Sequence, residues 1–308
     1  MLSFLLGSAV LGILYSIMSV SLNMQAGETG LMNFGLIAFF GVGAYSTGIG
    51  SMHDIPWPLS ILLGMIIASV LGAACGYLAG NLGTVYWALA TLAVAELIRL
   101  VINNASGVTG GPGGISSVKP LFGSLHGNTY DEAWLGIATL ALAVCAFVSI
   151  MIRRSQAGRV LRMIREQQDV AASLGHNVLA AKVRVMAVSA PMAAVAGSLY
   201  THYLTFIGPQ QLEPFWTFLV FTMLVVGGMG NVVGAIIGGV LVELVYDLTR
   251  FLGDLTGLSP VTAGGLRILI IGVILLAFLH LRPTGLLPER PRRRRCSTQQ
   301  ELKNASAV

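Results

Sequence analysis

The sequence predicts an all-α, polytopic transmembrane helical bundle, and three observations carry that prediction: little charge, long apolar runs and abundant glycine. Of 308 residues 55% are hydrophobic and only 10% are charged, against about 25% charged in an ordinary soluble domain. Mean hydropathy is +0.79. Runs such as Trp134–Ile152 and Ile268–Leu281 are apolar without alternation. Hydrocarbon offers no water to free backbone groups, so such runs must be helices or a closed barrel. Barrel strands would alternate apolar and polar residues, so helices are expected. Glycine supplies 38 residues, well above the usual share of about 7%. In a membrane bundle small residues let helix backbones approach closely, and helix breaks are tolerated where protein or a cavity surrounds them.

About 20 apolar residues cross the membrane core. The expected spans are 3–24, 31–50, 58–80, 83–103, 133–152, 183–206, 213–228, 232–252 and 262–281. That gives eight to ten crossings, because 213–228 is short, bounded by Pro214 and broken by Gly227-Gly228. It reads either as a crossing or as half of a discontinuous or re-entrant pair with 232–252. The first run lacks a basic n-region and a small-residue cleavage site, so it reads as a retained helix. Residues 1–285 are thus expected to form one transmembrane domain and 286–308 a basic, disordered tail. Cys75, Cys145 and Cys296 form no CxxC pair, and neither a disulfide framework nor a metal site is expected.

Basic residues orient the spans. Of 18 Lys and Arg, seven lie in 153–184 and seven more between Arg282 and Lys303. The long connection 104–132 carries only Lys119, beside Asp131 and Glu132. The 153–184 loop and the C-terminus are therefore expected in the cytoplasm and 104–132 outside. Nine crossings with the N-terminus outside meet this parity, and a re-entrant 213–252 meets it equally.

Two segments share a glycine-punctuated pattern: Thr29–Tyr45 (TGLMNFGLIAFFGVGAY) and Gly227–Glu243 (GGMGNVVGAIIGGVLVE). Paired Gly-interrupted spans point to an internal repeat around a transport path. Close helix packing through Gly230, Gly234 and Gly238 accounts for the second segment equally well.

The chain carries no enzyme constellation. HExxH, GxSxG and Cys/His clusters are absent, and no lysine follows a glycine, so there is no GK[ST] phosphate loop. Any ATP-driven step needs a nucleotide site on another subunit, and no cofactor or metal is expected in this chain. Intramembrane ionisable residues are few. Glu96 and Arg99, three apart on one helix, are placed to pair, and Glu243 and Asp247 share a face. Such groups mark either structural pairing or an ion pathway.

The most informative stretch is 153–184, RRSQAGRVLRMIREQQDVAASLGHNVLAAKVR. Arg159, Arg162, Arg165 and Glu166 recur at helical spacing among Val160, Leu161, Met163 and Ile164. One or two short amphipathic helices are expected, ending at Gly175 before Asn177. A topological loop, a helix lying on anionic lipid and a docking surface for a soluble partner are the three readings.

The stretch Asp169–Gly175 (DVAASLG) resembles the EAA coupling motif of ATP-binding-cassette importer permeases. Asp169 stands for the acidic residue, one position further from the alanine pair. The wider GRVLRMIREQQDVAASLGHNV is similar to the same loop in the branched-chain amino acid permease family, in its M-type subunit. So are SLNMQAGETGLMNFGLIAFFGVGAY, TLAVAELIRL with TGGPGGI, and GGMGNVVGAIIG, so the resemblance spans most of 20–245.

The resemblance implies an importer permease in a bacterial cytoplasmic (inner) membrane. Its partners would be a second homologous permease, two cytoplasmic ATPases that bind the ATP, and a periplasmic or extracellular solute-binding protein. Its cargo would be branched-chain amino acids, or the urea, amides or aromatic acids that other members carry. Gly158, Arg159, Arg162, Arg165, Glu166, Asp169, Ala171, Ala172 and Gly175 would form the ATPase coupling loop. The arginines would reach acidic groups or carbonyls of the ATPase, each contact worth about 0.5–3 kcal/mol. Asn23, Gln25, Thr29, Asn33 and Asn231 are candidates for the path, or for hydrogen bonds between helices. Thr109–Ile115 would shape the surface that meets the binding protein, or form a plain turn. The run Arg292–Arg295 would hold anionic headgroups or simply orient the chain. The rival class is a stand-alone secondary transporter or channel.

Overall fold

The computed structural model describes residues 2–80, 82–116, 118–122, 127–256, 260–281 and 285–288. His126, Cys296 and the Arg292–Arg295 run lie outside the described residues, as does most of the expected tail. The described residues form helices: α1 (Leu2–Leu22), α2 (Leu36–Met52), α3 (Trp57–Ala79), α4 (Thr84–Asn104), the single turn α5 (Ser106–Thr109), α6 (Asn128–Arg154), α7 (Gln156–Glu166), α8 (Gln168–Ser173), α9 (Val178–Leu204), α10 (Pro214–Gly227), α11 (Val232–Thr256) and α12 (Pro260–Leu281). Six stretches among the described residues are long and apolar enough to cross a membrane: 4–27, 57–78, 84–104, 128–154, 178–204 and 232–249. The chain is a multi-pass membrane protein. α11 contains one of these six stretches, and α10 before it is a shorter apolar helix.

Helix α1 is the axis of the bundle, packed by α11, α6, α9 and α10. α3, α4 and α6 form the outside. Along α6, Leu140, Val144, Phe147 and Met151 make one exposed apolar stripe, far more apolar surface than a water-facing helix carries. Close approach replaces the hydrophobic effect as the packing force inside a bilayer. A Cβ on Gly43 would meet the Ala194 carbonyl oxygen at 2.0 Å, and one on Gly197 the Phe40 oxygen at 2.0 Å, so α2 and α9 touch backbone to backbone. Gly238 and Gly234 bring α11 equally close to α10 at Met223 and Gly227, as the small-residue reading of that segment expects.

Local chemistry sets the ends. Pro58 opens α3 and Pro214 opens α10, positions where a missing N–H costs nothing. The Asn177 side chain accepts from Ala180 N at 2.9 Å and starts α9 five residues before the expected boundary. Pro191 inside α9 frees the Ala187 carbonyl, which accepts from the Ser69 hydroxyl of α3 at 2.9 Å.

Two helices are short. α2 has 17 residues and α10 has 14, about 26 and 21 Å at 1.5 Å per residue, against a core of about 30 Å. Each adjoins a non-helical segment packed inside the protein, 30–35 before α2 and 228–231 after α10. The second span, expected from residue 31, therefore becomes helical only at Leu36. The reason is local: Gly30 sits at φ +76°, and Gly35 lies so close to the Thr91 carbonyl that a Cβ would meet it at 2.1 Å. Non-helical backbone at membrane depth must find its partners in protein. Here Gly30 N donates to Ala26 O, Leu31 N to Gln25 O and Phe34 N to the Thr91 hydroxyl.

Successive ends fix the two faces of the bundle. Lys182, near the start of α9, donates to Gly80 O at the end of α3 at 2.7 Å. That end, with α7, α8 and both helix breaks, is the loop end. The end carrying the α2–α3 connection and the finish of α9 is the far end. There the Thr109–Ile115 motif is a tight turn, with Gly110, Gly111 and Gly114 at positive φ, and Ile115 pairs with Ile207 in a two-residue antiparallel bridge.

Candidate functional site

The site begins at one carboxylate. Glu28 is the only charged residue before Asp54, and it lies 2% exposed just past the end of α1. A buried charge must be paired or it is prohibitively costly. Its oxygens face two guanidiniums from the loop: Arg153 Nε at 3.0 Å from Oε1 and Arg162 Nη1 at 3.2 Å from Oε2. Arg162 also donates to Arg153 O at 3.3 Å. One turn on, Arg165 donates to the Gly27 carbonyl and its stem covers Gly30. Three arginines thus tie α7 to the first helix break.

Why α7 presents them follows from its sequence. The Ser155 side chain caps its start by accepting from Gly158 N. Gly158 is needed because a Cβ there would lie 2.5 Å from two carbonyls of α6. Leu161 and Ile164 are buried, and Arg162 and Arg165 flank them, half-buried. The break at Gln167 turns the chain into α8, whose Ala171 is buried. Gly175 at φ +83° ends α8, with its N–H bonded to Ala172 O and that of His176 to Ala171 O, the glycine-terminated double bond expected of a helix stop. Gln168 Oε1 accepts from Lys182 at 3.0 Å, so α8 is held to α9 as α7 is held to α1.

The expected coupling residues therefore divide by face. Arg159, Glu166, Asp169, Ala172 and Gly175 are exposed, Gly158 and Ala171 are buried, and Arg162 and Arg165 turn inward to the break. Arg153, Lys182 and above all Glu28 escaped the sequence reading. The available signal was the isolation of Glu28 in a stretch of 53 residues with no other charged side chain.

The two helix breaks meet. Asn23 Oδ1 accepts from Gly230 N at 2.8 Å, and Gly27 packs against the same nitrogen. Their local structures correspond at an offset of 198 residues. Gly30 and Gly228 both have positive φ. Asn33 Oδ1 accepts from Gly35 N and Asn231 Oδ1 from Val233 N, the same side-chain turn before the following helix. The polar residues expected along a path lie here as ties. Asn33 Nδ2 donates to Gln25 Oε1 at 2.7 Å, Thr29 to Met24 O at 3.3 Å and Asn231 Nδ2 to Leu287 O at 3.3 Å. Asn23, Gln25 and Asn33 are fully buried.

Glu96 and Arg99 pair on α4, with Arg99 Nε 2.9 Å from Glu96 Oε2, and about a third of each side chain is open to the outside of the bundle. At the far end Asp54 pairs with Lys119, which holds the Asp54 carboxyl below its ordinary range. Among the described residues no group of three His, Cys, Asp or Glu side chains is placed to hold a metal.

Comparison with known proteins bears on this arrangement. Residues 4–279 match the family model for the permease component of branched-chain amino acid transport systems. The chain is similar to the high-affinity branched-chain amino acid transport system permease protein LivM of Escherichia coli, 30% identical over 97% of this chain and 72% of that one. A Methanocaldococcus jannaschii protein described as a probable LivM permease is 28% identical over 90% of this chain and 91% of its own length. The E. coli permease LivH is 25% identical over 90% and 92%. No solved structure matches the chain.

Proposed function

This chain belongs to the permease-component family of branched-chain amino acid transport systems, and from that premise we propose how it couples ATP hydrolysis to import. α7 and α8 form the dock for a cytoplasmic ATPase of the ATP-binding-cassette type. Arg159, Glu166, Asp169 and the Ala172–Gly175 turn face the ATPase, while Arg162 and Arg165 carry its movement inward. The observation that carries this reading is the buried junction of Glu28 with Arg153 and Arg162. It joins the exposed α7–α8 layer to the first helix break, and Asn23 hands the connection to the second break at Gly230.

ATPase closure would displace α7–α8 as a body, and the breaks at 30–35 and 228–231 would shift with it. Rocking of packed helices around such breaks alternates access to a central path. Asn23, Gln25 and Asn33 are fully buried at the loop end, and a polar cavity opens at the far end. On this reading the loop end lies in the cytoplasm, as its basic residues favour, and the N-terminus lies outside.

ATP is bound by partner subunits and none by this chain. A second homologous permease completes the membrane unit, in keeping with the LivM and LivH relatives, and a solute-binding protein delivers cargo at the far end. The cargo class is branched-chain amino acids. The half-open Glu96–Arg99 pair suits a surface covered by that second permease, since an ion pair facing lipid is costly.

Docking is tested by the double substitution Arg159→Glu with Asp169→Lys, two exposed positions. The account expects loss of ATPase co-purification with unchanged membrane insertion and melting temperature. Retained co-purification refutes the docking surface.

A further inference from the structure

The far end contains a polar cavity that the coupling account leaves unused. It encloses about 260 Å³, below the range of about 300–1,000 Å³ typical of drug-sized ligands and suited to a smaller solute. Its floor consists of Thr47, Ser60 and His202, which are 1%, 2% and 5% exposed. The Thr47 and Ser60 hydroxyls have no hydrogen-bond partner, and the His202 ring has only the Lys119 backbone to bond to, which leaves one ring nitrogen open. Buried polar atoms are nearly always satisfied, so three open ones lining a single cavity imply an occupant.

The rim supplies charge. Asp54 and Lys119 pair across it with their side chains about three-quarters exposed, so parting them costs little. Both are held in place by backbone. Asp54 sits at φ +56°, and Lys119 N donates to the Ser51 hydroxyl at 2.8 Å. Ile55, Trp57 and Leu121 add apolar wall. One anion and one cation at the mouth, hydroxyls and an imidazole below, and an apolar side match one chemical class.

We propose that this cavity is a binding site for a small zwitterion with an apolar side chain, a free α-amino acid. Lys119 takes part of its carboxylate and Asp54 part of its ammonium group, the remaining carboxylate oxygen and ammonium hydrogens face the floor, and the side chain lies along Ile55, Trp57 and Leu121. The site lies at the opposite end from the path residues expected from sequence. It deepens the import reading by adding a receiving site on the permease itself, and it rests on that reading for the side from which solute arrives.

The test is equilibrium binding of radiolabelled L-leucine to the purified, intact transporter without its solute-binding protein. Saturable binding is expected, weakened at least tenfold in Asp54→Asn and in Lys119→Met, and competed poorly by 3-methylbutanoate or 3-methylbutylamine, which each carry one of the two charges. Asp54 and Lys119 are exposed, so these variants retain the fold, and unchanged melting temperature checks it. His202→Phe should abolish binding. Absence of saturable binding in the wild type, binding unchanged in both charge variants, or equal competition by a singly charged analogue overturns the site and leaves a water-filled vestibule. ATP-driven uptake by the same preparation reports separately on the import reading, which stands if uptake persists while the site fails.

Discussion

Replacing Glu28 by Gln should uncouple ATP hydrolysis from transport. The amide keeps the shape of the side chain and removes its charge, leaving Arg153 and Arg162 facing a neutral group at the present 3.0 and 3.2 Å. Breaking a fully buried pair by removing one partner costs about 3–5 kcal/mol. The two guanidiniums are 22% and 29% exposed, and water can recover part of that loss, which brings the expected cost to about 2 kcal/mol. At about 1.4 kcal/mol per factor of ten, the hold of α7 on the break weakens roughly thirtyfold. The ATPase-facing side of α7–α8 is untouched, so ATPase binding and turnover should persist. The assay is solute imported per ATP hydrolysed in proteoliposomes holding the complete transporter. A fall of about tenfold or more with ATPase turnover retained is expected; an unchanged ratio would refute the claim that Glu28 transmits the motion.

Two further outcomes follow from packing and topology. Gly238→Ala places a methyl group 2.0 Å from Met223 O and 2.8 Å from Gly227 Cα, so α10 and α11 must part, at about 1–3 kcal/mol. Thermal unfolding in detergent should drop by several degrees, whereas Gly136→Ala, with nothing within 4 Å, should leave it unchanged or slightly raised. In a cysteine-free background, Met52→Cys at the far end should react with a membrane-impermeant maleimide in intact cells, and Ser155→Cys should react only after lysis; the reverse pattern would overturn the orientation.

The architecture was legible because hydrocarbon leaves so few options. Every expected span corresponds to a helix, and Gly227-Gly228 announced the second break. What escaped was pairing across sequence distance. Arg162 and Arg165 read as outward-facing because helical spacing gives a face without saying what covers it. Their partners are Glu28 and the Gly27 carbonyl, more than 130 residues away, in a segment whose apolar run masked its one charge. The start of α2 was misplaced for a similar reason: an apolar run shows no difference between helix and the non-helical 30–35 segment, which is decided by the Phe34 N–H donating to the Thr91 hydroxyl and the Gly35 N–H donating to the Asn33 side chain. The far-end cavity was invisible because Thr47, Asp54, Lys119 and His202 come from four separate elements.

The central claim, that this chain moves solute only under the drive of separate ATPase subunits docked on α7–α8, is tested most directly by reconstitution. Labelled leucine uptake is measured in proteoliposomes containing this chain alone with an imposed proton or sodium gradient, and in proteoliposomes containing the complete set of subunits with ATP. The account predicts uptake only in the second, abolished when the ATPases or ATP are withheld. Gradient-driven uptake by the chain alone would contradict it.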